Sequence, residues 1–294
     1  MIESFHAAAA ANFSREELNL RLGHIRHVAL DMDGTIYNGD TLFKTTQPFL
    51  KLLDELDIGH TFLTNNPSRS TAEYLAHLRR VGIVATADQL YTSTQATIDF
   101  LKQSEPDLRR WFVLGTPGLC DELSGAGFSL MPDDSQAIPD AVLVGFDKTL
   151  TYQRLCRAAW WIKQGKPYFA TNPDRVCPTD EPTVLVDCGS ITAALEQATG
   201  VSPQKVFGKP DPAMLQGILC RHTLTPENLA LIGDRLYTDL AMAHRAGAFG
   251  VLVLTGETTA SEAEKSSPPP DLIVPTLAEF GELLRHARAT LAAE

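Results

Sequence analysis

Short apolar runs alternate with helical patterns along the whole of this 294-residue chain, and that alternation confines it to open parallel sheets flanked by helices. The first unit is the most informative. An apolar run, His27-Val28-Ala29-Leu30, leads straight into Asp31-Met32-Asp33-Gly34-Thr35. Gln47 to Leu53 has amphipathic helical spacing, and Ile58-Gly59-His60-Thr61-Phe62-Leu63 reads as the next strand, ending at Thr64-Asn65-Asn66-Pro67. Asp31 and Thr64 lie 33 residues apart. That is the size of one right-handed βαβ crossover, which makes the two strands parallel and brings their carboxyl ends to one edge.

The same grammar continues. Ser70 to Arg80 reads as a helix stopped near Gly82. Strands are expected at Trp111–Leu114, Ala141–Val144 and Pro167–Ala170, with helices near 93–103, 117–125, 151–164 and 189–199. The last third offers strands at Lys205–Phe207, Leu229–Ile232, Val251–Leu254 and Leu272–Val274, the final one after a stiff linker of consecutive prolines, Pro268 to Pro270. At about 150 residues per domain, the length suits two domains, or one large α/β domain with an insertion. Apolar residues, at 44%, supply the cores either arrangement needs.

Twenty-five Lys and Arg against 36 Asp and Glu leave a formal charge of −11, which repels a phosphodiester polyanion, so no nucleic-acid polymer is expected as partner. No stretch approaches the apolar length of a membrane span. The opening residues, MIESFHAAAAANFSREELNL, lack the basic start and apolar run of a secretory signal, and a short N-terminal helix is expected there. Five cysteines without a C-x-x-C fit reduced thiols in a cytoplasm better than a disulfide framework or a zinc knuckle.

Ligands of doubly wound sheets collect outside the carboxyl ends of the strands, so what each strand offers as it ends is decisive. The first offers Asp31 and Asp33, the second Thr64 and Asn65, the third Gly208-Lys209-Pro210, and the fourth Gly233-Asp234, with Asp239 five residues on. Converging carboxylates repel and raise one another's pKa. A hard divalent cation resolves the conflict, and Mg²⁺ suits ligands that are all oxygen. Lys209 adds positive charge, and Thr64 with the amides around Asn65 and Asn66 can hydrogen-bond phosphate oxygens. A carboxylate at such a site can attack phosphorus, and a second can protonate the leaving alkoxide and then activate water. Asp31 is the expected nucleophile and Asp33 the expected acid/base, with Gly34 permitting the turn and Thr35 tying it together.

With these motifs in this order, the chain resembles the haloacid dehalogenase-like phosphohydrolases. Within them it resembles the branch of the NagD-like nucleotide phosphatases, 4-nitrophenylphosphatases, phosphoglycolate phosphatases and pyridoxal phosphate phosphatases. The resemblance implies a doubly wound, Rossmann-like α/β core with an inserted α/β cap of the C2 type. Residues 1–82 and 204–294 would form the core, with a helical extension over 1–23, and 83–203 the cap. It implies Mg²⁺ held by Asp31, the backbone carbonyl of Asp33, and Asp234, with Asp239 behind them. Dehalogenating relatives lack the second aspartate of the first motif, because a halide needs no proton, so Asp33 favours phosphate-ester chemistry. Relatives often dimerise through the cap, and the sequence leaves this chain's oligomeric state open.

Thr171-Asn172-Pro173 mimics the second motif, but Thr64 follows Asp31 by a single crossover and is preferred. In this branch the cap carries V-G-[LF]-D and A-T-N-x-D pieces, matched by Val144–Asp147 and Ala170–Asp174. Asp147 lacks a second carboxylate and a glycine turn, and reads as a cap strand end. Trp160-Trp161 reads as core or a cap-to-cap contact. The substrate is expected to be a small phosphorylated metabolite, chosen by cap side chains such as Asn172, Asp174 and Cys177. Some pyridoxal phosphate phosphatases place a His about where Cys177 lies, which disfavours that substrate. Phosphoryl transfer to a second substrate, as in a mutase, and receiver-like phospho-aspartate signalling stay open as alternatives.

Overall fold

Five residues, His27–Asp31, form the central strand, and every one of them is buried. Val28 and Leu30 pack into one apolar cluster with Leu22, Phe49 and Phe280, while Ala29 packs into another with Met214, Leu215 and Met242. Both faces are thus covered by helices, as a strand of a buried parallel sheet requires. These positions come from a computed structural model, in which residues 13–177, 179 and 181–291 are described.

The core sheet is parallel and six-stranded, in the order Leu272–Val274, Phe249–Val253, Leu229–Gly233, His27–Asp31, Gly59–Thr64, Leu90–Thr92. Strand order reverses about His27–Asp31, which makes its carboxyl end a topological switch point. Register fixes the neighbours there: Asp31 lies opposite Leu63, and Leu30 opposite Ile232, so Thr64 and Gly233-Asp234 emerge beside Asp31. The helix Thr71–Arg80 follows the Thr64–Ser70 turn and is started by a capping box. The Glu73 N–H donates to Ser70 Oγ at 3.3 Å, and the Ser70 N–H donates to Glu73 Oε2 at 2.7 Å.

A second parallel sheet, the cap's, runs Lys205–Val206, Tyr168–Ala170, Ala141–Val144, Arg110–Leu114, Ser129–Leu130. The helices Pro117–Gly125, Tyr152–Lys163 and Cys188–Thr199 connect its strands, and Trp161 is buried in the core that the last two form against the sheet. Two short antiparallel hairpins, Tyr37–Asn38 with Thr41–Leu42 and Val176–Cys177 with Leu185–Val186, escaped the sequence reading.

The expected boundaries at 83 and 203 shift. Leu90–Thr92 pairs with Gly59–Thr64 and belongs to the core sheet, whereas Lys205–Val206 pairs with Tyr168–Ala170 and belongs to the cap sheet. Both strands are only two or three residues long, so partner pairing, not their own pattern, decides which sheet they join. Lys209 therefore reaches the site from a cap edge strand, not from the end of a core strand. The N-terminal extension is a helix over Arg15–His24, and residues 1–12 of that expectation lie outside the described residues. Among the described residues no helix is long and apolar enough to cross a membrane.

Candidate active site

Asp31 ends the central strand with its carboxyl group held on both sides. Lys209 Nζ donates to Oδ1, and Thr35 Oγ1 donates to Oδ2 at 3.3 Å. The same ammonium donates to Asp239 Oδ1 at 2.7 Å, so Lys209, only 3% exposed, bridges two buried carboxylates. Burial opposes the charge on Lys209, but Asp239 and Asp31 outweigh it and keep its pKa above the ordinary lysine value. Burial also lifts Asp31 to about 7; Lys209 opposes that rise, while Asp239 and Asp234 add to it.

Asp234 follows the strand Leu229–Gly233 directly. Its Oδ2 accepts the Glu257 N–H at 2.7 Å, whereas Oδ1 is buried without a hydrogen-bond partner. Oxygen atoms of Asp31, Asp234 and Asp239 lie within 4.8 Å of one another. Three carboxylates thus face the Lys209 ammonium, and Arg235, the next cation along, is itself paired with Glu257 at 2.9 Å. An orphaned buried acceptor within a set of oxygen ligands fits a hard divalent cation. Asp239, expected behind the ligands, brings an oxygen within 4.8 Å of those of Asp31 and Asp234.

Asp33 sits one turn out from Asp31 and is exposed, and its Oδ1 accepts the Gly39 N–H of the Tyr37–Leu42 hairpin at 3.4 Å. Gly34 makes this turn with φ +85° and donates its N–H to the Tyr37 carbonyl at 2.8 Å. Both aspartates open onto a cavity of about 350 Å³ between core and cap, which Thr64, Asn65, Asn66 and Lys209 also line.

The asparagines of the second motif direct their side chains at protein. Asn65 accepts the Lys209 N–H on Oδ1 at 2.6 Å and donates from Nδ2 to Asp174 Oδ2 at 2.9 Å and to the Lys209 carbonyl at 3.1 Å. Asn66 Oδ1 accepts the Ser68 N–H at 2.9 Å, and its Nδ2 points to Cys177 Sγ at 3.7 Å. The Asn66 N–H donates to Thr64 Oγ1 at 3.2 Å. Asn65 therefore fastens Lys209 and the cap together.

Of the cap candidates, Asp174 and Cys177 line the cavity. Asn172 does not: it is fully buried and donates to Asp174 and Asp187, each at 3.1 Å. The competing Thr171 stands at the end of a cap strand, bonded to Asn172 Oδ1 at 2.9 Å. Asp147 is held by Arg154 at 2.8 Å and by its own turn at Thr149.

Sequence reasoning missed several residues that line the cavity, among them Tyr37, Arg69, His77, Lys148, Asp187 and Arg235. Arg69 and Arg235 lie within a few residues of motifs already in hand and were findable. Asp187 was not, since it caps the helix Cys188–Thr199 with no motif around it. Burial pushes its carboxyl up to about 6, against the hydrogen bonds from Cys188 and Asn172.

Comparison with known proteins agrees with this geometry. Residues 28–129 match a family model described as haloacid dehalogenase-like hydrolase, and residues 206–280 match a second model of related hydrolases. An acid sugar phosphatase of Staphylococcus saprophyticus is 33% identical over 257 residues, covering 87% of this chain and 96% of that protein. The crystal structure of a 4-nitrophenylphosphatase from Thermotoga maritima superposes with a TM-score of 0.83 at 38% identity, covering 89% of this chain and 98% of that one. A glycerol phosphate phosphatase from Mycobacterium tuberculosis, solved in complex with magnesium, gives 0.80 at 31% identity over 90% of this chain and 79% of that one. Fold, site and similarity converge: this chain belongs to the haloacid dehalogenase-like hydrolases, in their NagD and 4-nitrophenylphosphatase branch.

Proposed function

We propose that this protein is a Mg²⁺-dependent phosphatase that hydrolyses small phosphate monoesters through an aspartyl phosphate on Asp31. The observation that carries the reading is the pairing of the Asp31 carboxylate with a buried ammonium at the mouth of a cavity, beside the unpartnered Oδ1 of Asp234. Asp31, Asp234 and the Asp33 carbonyl would hold the ion, with Asp239 adjacent. When bound, Mg²⁺ supplies a Lewis acid that offsets the charge of the phosphoryl oxygens.

The protein's own groups do the rest. Lys209 orients Asp31 and compensates negative charge as an Asp31 oxygen forms its bond to phosphorus and the ester P–O bond breaks. Asp33, on its exposed turn, gives a proton to the departing alkoxide. Once ionised, it takes a proton from water, whose oxygen attacks the phosphorus as the bond to Asp31 breaks, releasing inorganic phosphate and restoring both aspartates. The cavity of about 350 Å³ holds a small phosphorylated metabolite, not a polymer. Sugar phosphates and glycerol phosphate head the substrates to be tried, because relatives bear those names.

The test is hydrolysis of p-nitrophenyl phosphate by Asp31→Asn with and without Mg²⁺. Turnover falls to background with the melting temperature retained; persistent turnover by the variant would remove Asp31 as the nucleophile. A screen of phosphate release over sugar phosphates, nucleotides, phosphoglycolate and pyridoxal phosphate then fixes the substrate.

A further inference from the structure

Asp234 is held by a loop from the neighbouring strand, Thr255-Gly256-Glu257-Thr258, which follows Phe249–Val253. Three hydrogen bonds tie this loop to the site. Thr255 Oγ1 donates to the Gly34 carbonyl at 2.6 Å, the Glu257 N–H to Asp234 Oδ2 at 2.7 Å, and the Thr258 N–H to the Asp234 carbonyl at 3.2 Å. Gly256 lies so close that a Cβ there would run into the Asp234 carboxylate. Bonded through Oδ2 and close against the backbone of Gly34 and Gly256, the carboxylate is held in a rotamer that leaves Oδ1 without a protein partner.

The loop is in turn locked by its own acidic side chain. Glu257 Oε2 pairs with Arg235 Nε at 2.9 Å, and Glu257 Oε1 accepts the Tyr237 hydroxyl at 2.9 Å. Arg235 and Tyr237 flank Asp234 on its C-terminal side, so Glu257 closes a ring: its backbone holds the carboxylate, and its side chain holds the segment from which the carboxylate projects.

We propose that Thr255 and Glu257 are positioning residues that set the affinity of the site for its divalent cation by fixing the rotamer of Asp234. The inference rests on the reading of Asp234 as a metal ligand. It predicts a role for two residues that contribute no ligand and touch no substrate. Outer partners of this kind alter metal affinity by about 10- to 100-fold when removed.

Full-length protein is stripped of metal and titrated with Mn²⁺, and binding is followed by loss of the free-ion EPR signal, alongside melting temperature and p-nitrophenyl phosphate kinetics. Glu257→Ala weakens Mn²⁺ binding by about tenfold or more, and Glu257→Gln, which keeps an acceptor, restores most of it. Thr255→Val, nearly isosteric, shows the same loss and decides the matter should Glu257→Ala fail to fold. Metal-free melting temperatures stay within about 5 °C of wild type, and at saturating Mn²⁺ the KM for p-nitrophenyl phosphate does not change. Binding within about twofold of wild type in Glu257→Ala and Thr255→Val, with Asp234→Asn abolishing it, overturns the positioning role alone. Wild-type binding by Asp234→Asn overturns the ligand assignment and the inference together.

Discussion

Replacing Lys209 with methionine keeps much of the side chain's volume and removes its charge. The ammonium is buried between Asp31 and Asp239, so the variant leaves two carboxylates inside the protein without their cation. Breaking a buried pair in this way costs about 3–5 kcal/mol. An independent bound follows from titration, because an uncompensated buried carboxylate takes up a proton. Burial already lifts Asp31 to about 7 in the wild type, so retaining its proton costs the variant little extra below that pH and about 1.4 kcal/mol for each unit above it. The sign is fixed: a carboxyl whose folded pKa is raised makes the native state bind more protons than the unfolded one, so stability falls as pH rises towards that pKa. Urea denaturation in EDTA at pH 7, 7.5 and 8 therefore finds Lys209→Met less stable than wild type by a margin that widens towards about 1.4 kcal/mol per pH unit for one extra proton, since wild-type Asp31 gives up its own proton only above about 7. A margin that stays flat with pH, or lies below about 1 kcal/mol at pH 8, refutes the reasoning that Lys209 neutralises buried charge.

His27 is the mirror case: burial first, then His222 and His60, lower its pKa to about 3, and its ring stacks on His222 at 4.3 Å. A depressed histidine stabilises fully above its unfolded pKa and loses that contribution as pH falls towards the folded value. Between pH 6.5 and 5 wild type should lose about 2 kcal/mol more than His27→Gln, measured by denaturant titration; equal losses would show that the ring can charge in place. Gly34→Ala places a side chain at φ +85° and drives its Cβ into the Asp234 carboxylate, so phosphatase turnover drops by about 100-fold or more for a stability loss of about 1–3 kcal/mol. Near-normal turnover in that variant would mean that the first-motif turn tolerates displacement of Asp234.

The acidic and basic groups of the site were legible because each lies next to a strong local signal. Asp31, Thr64 and Asp234 each lie at the end of, or directly after, an apolar run long enough to be read as a strand, and parallel pairing does the rest. What the local pattern could not carry was partnership. Lys205–Val206 reads as a strand in either sheet, and only its pairing with Tyr168–Ala170 assigns it to the cap. Asn172 sits two residues before Asp174 in sequence yet is buried against Asp187, the N-cap of the helix Cys188–Thr199, a partner 15 residues away that no local pattern announces. Glu257 carries no motif at all. Its importance arises from contacts to Asp234, Arg235 and Tyr237, which lie 20 to 23 residues earlier in the sequence.

Lys209 hangs four residues beyond Lys205, the start of the outermost cap strand, and Asn65 of the core grips its backbone N–H and carbonyl while also reaching Asp174 of the cap. Movement of one lobe against the other is thereby geared to the position of a positive charge. A swing that separated the lobes would have to stretch this asparagine latch or drag the ammonium from its carboxylates.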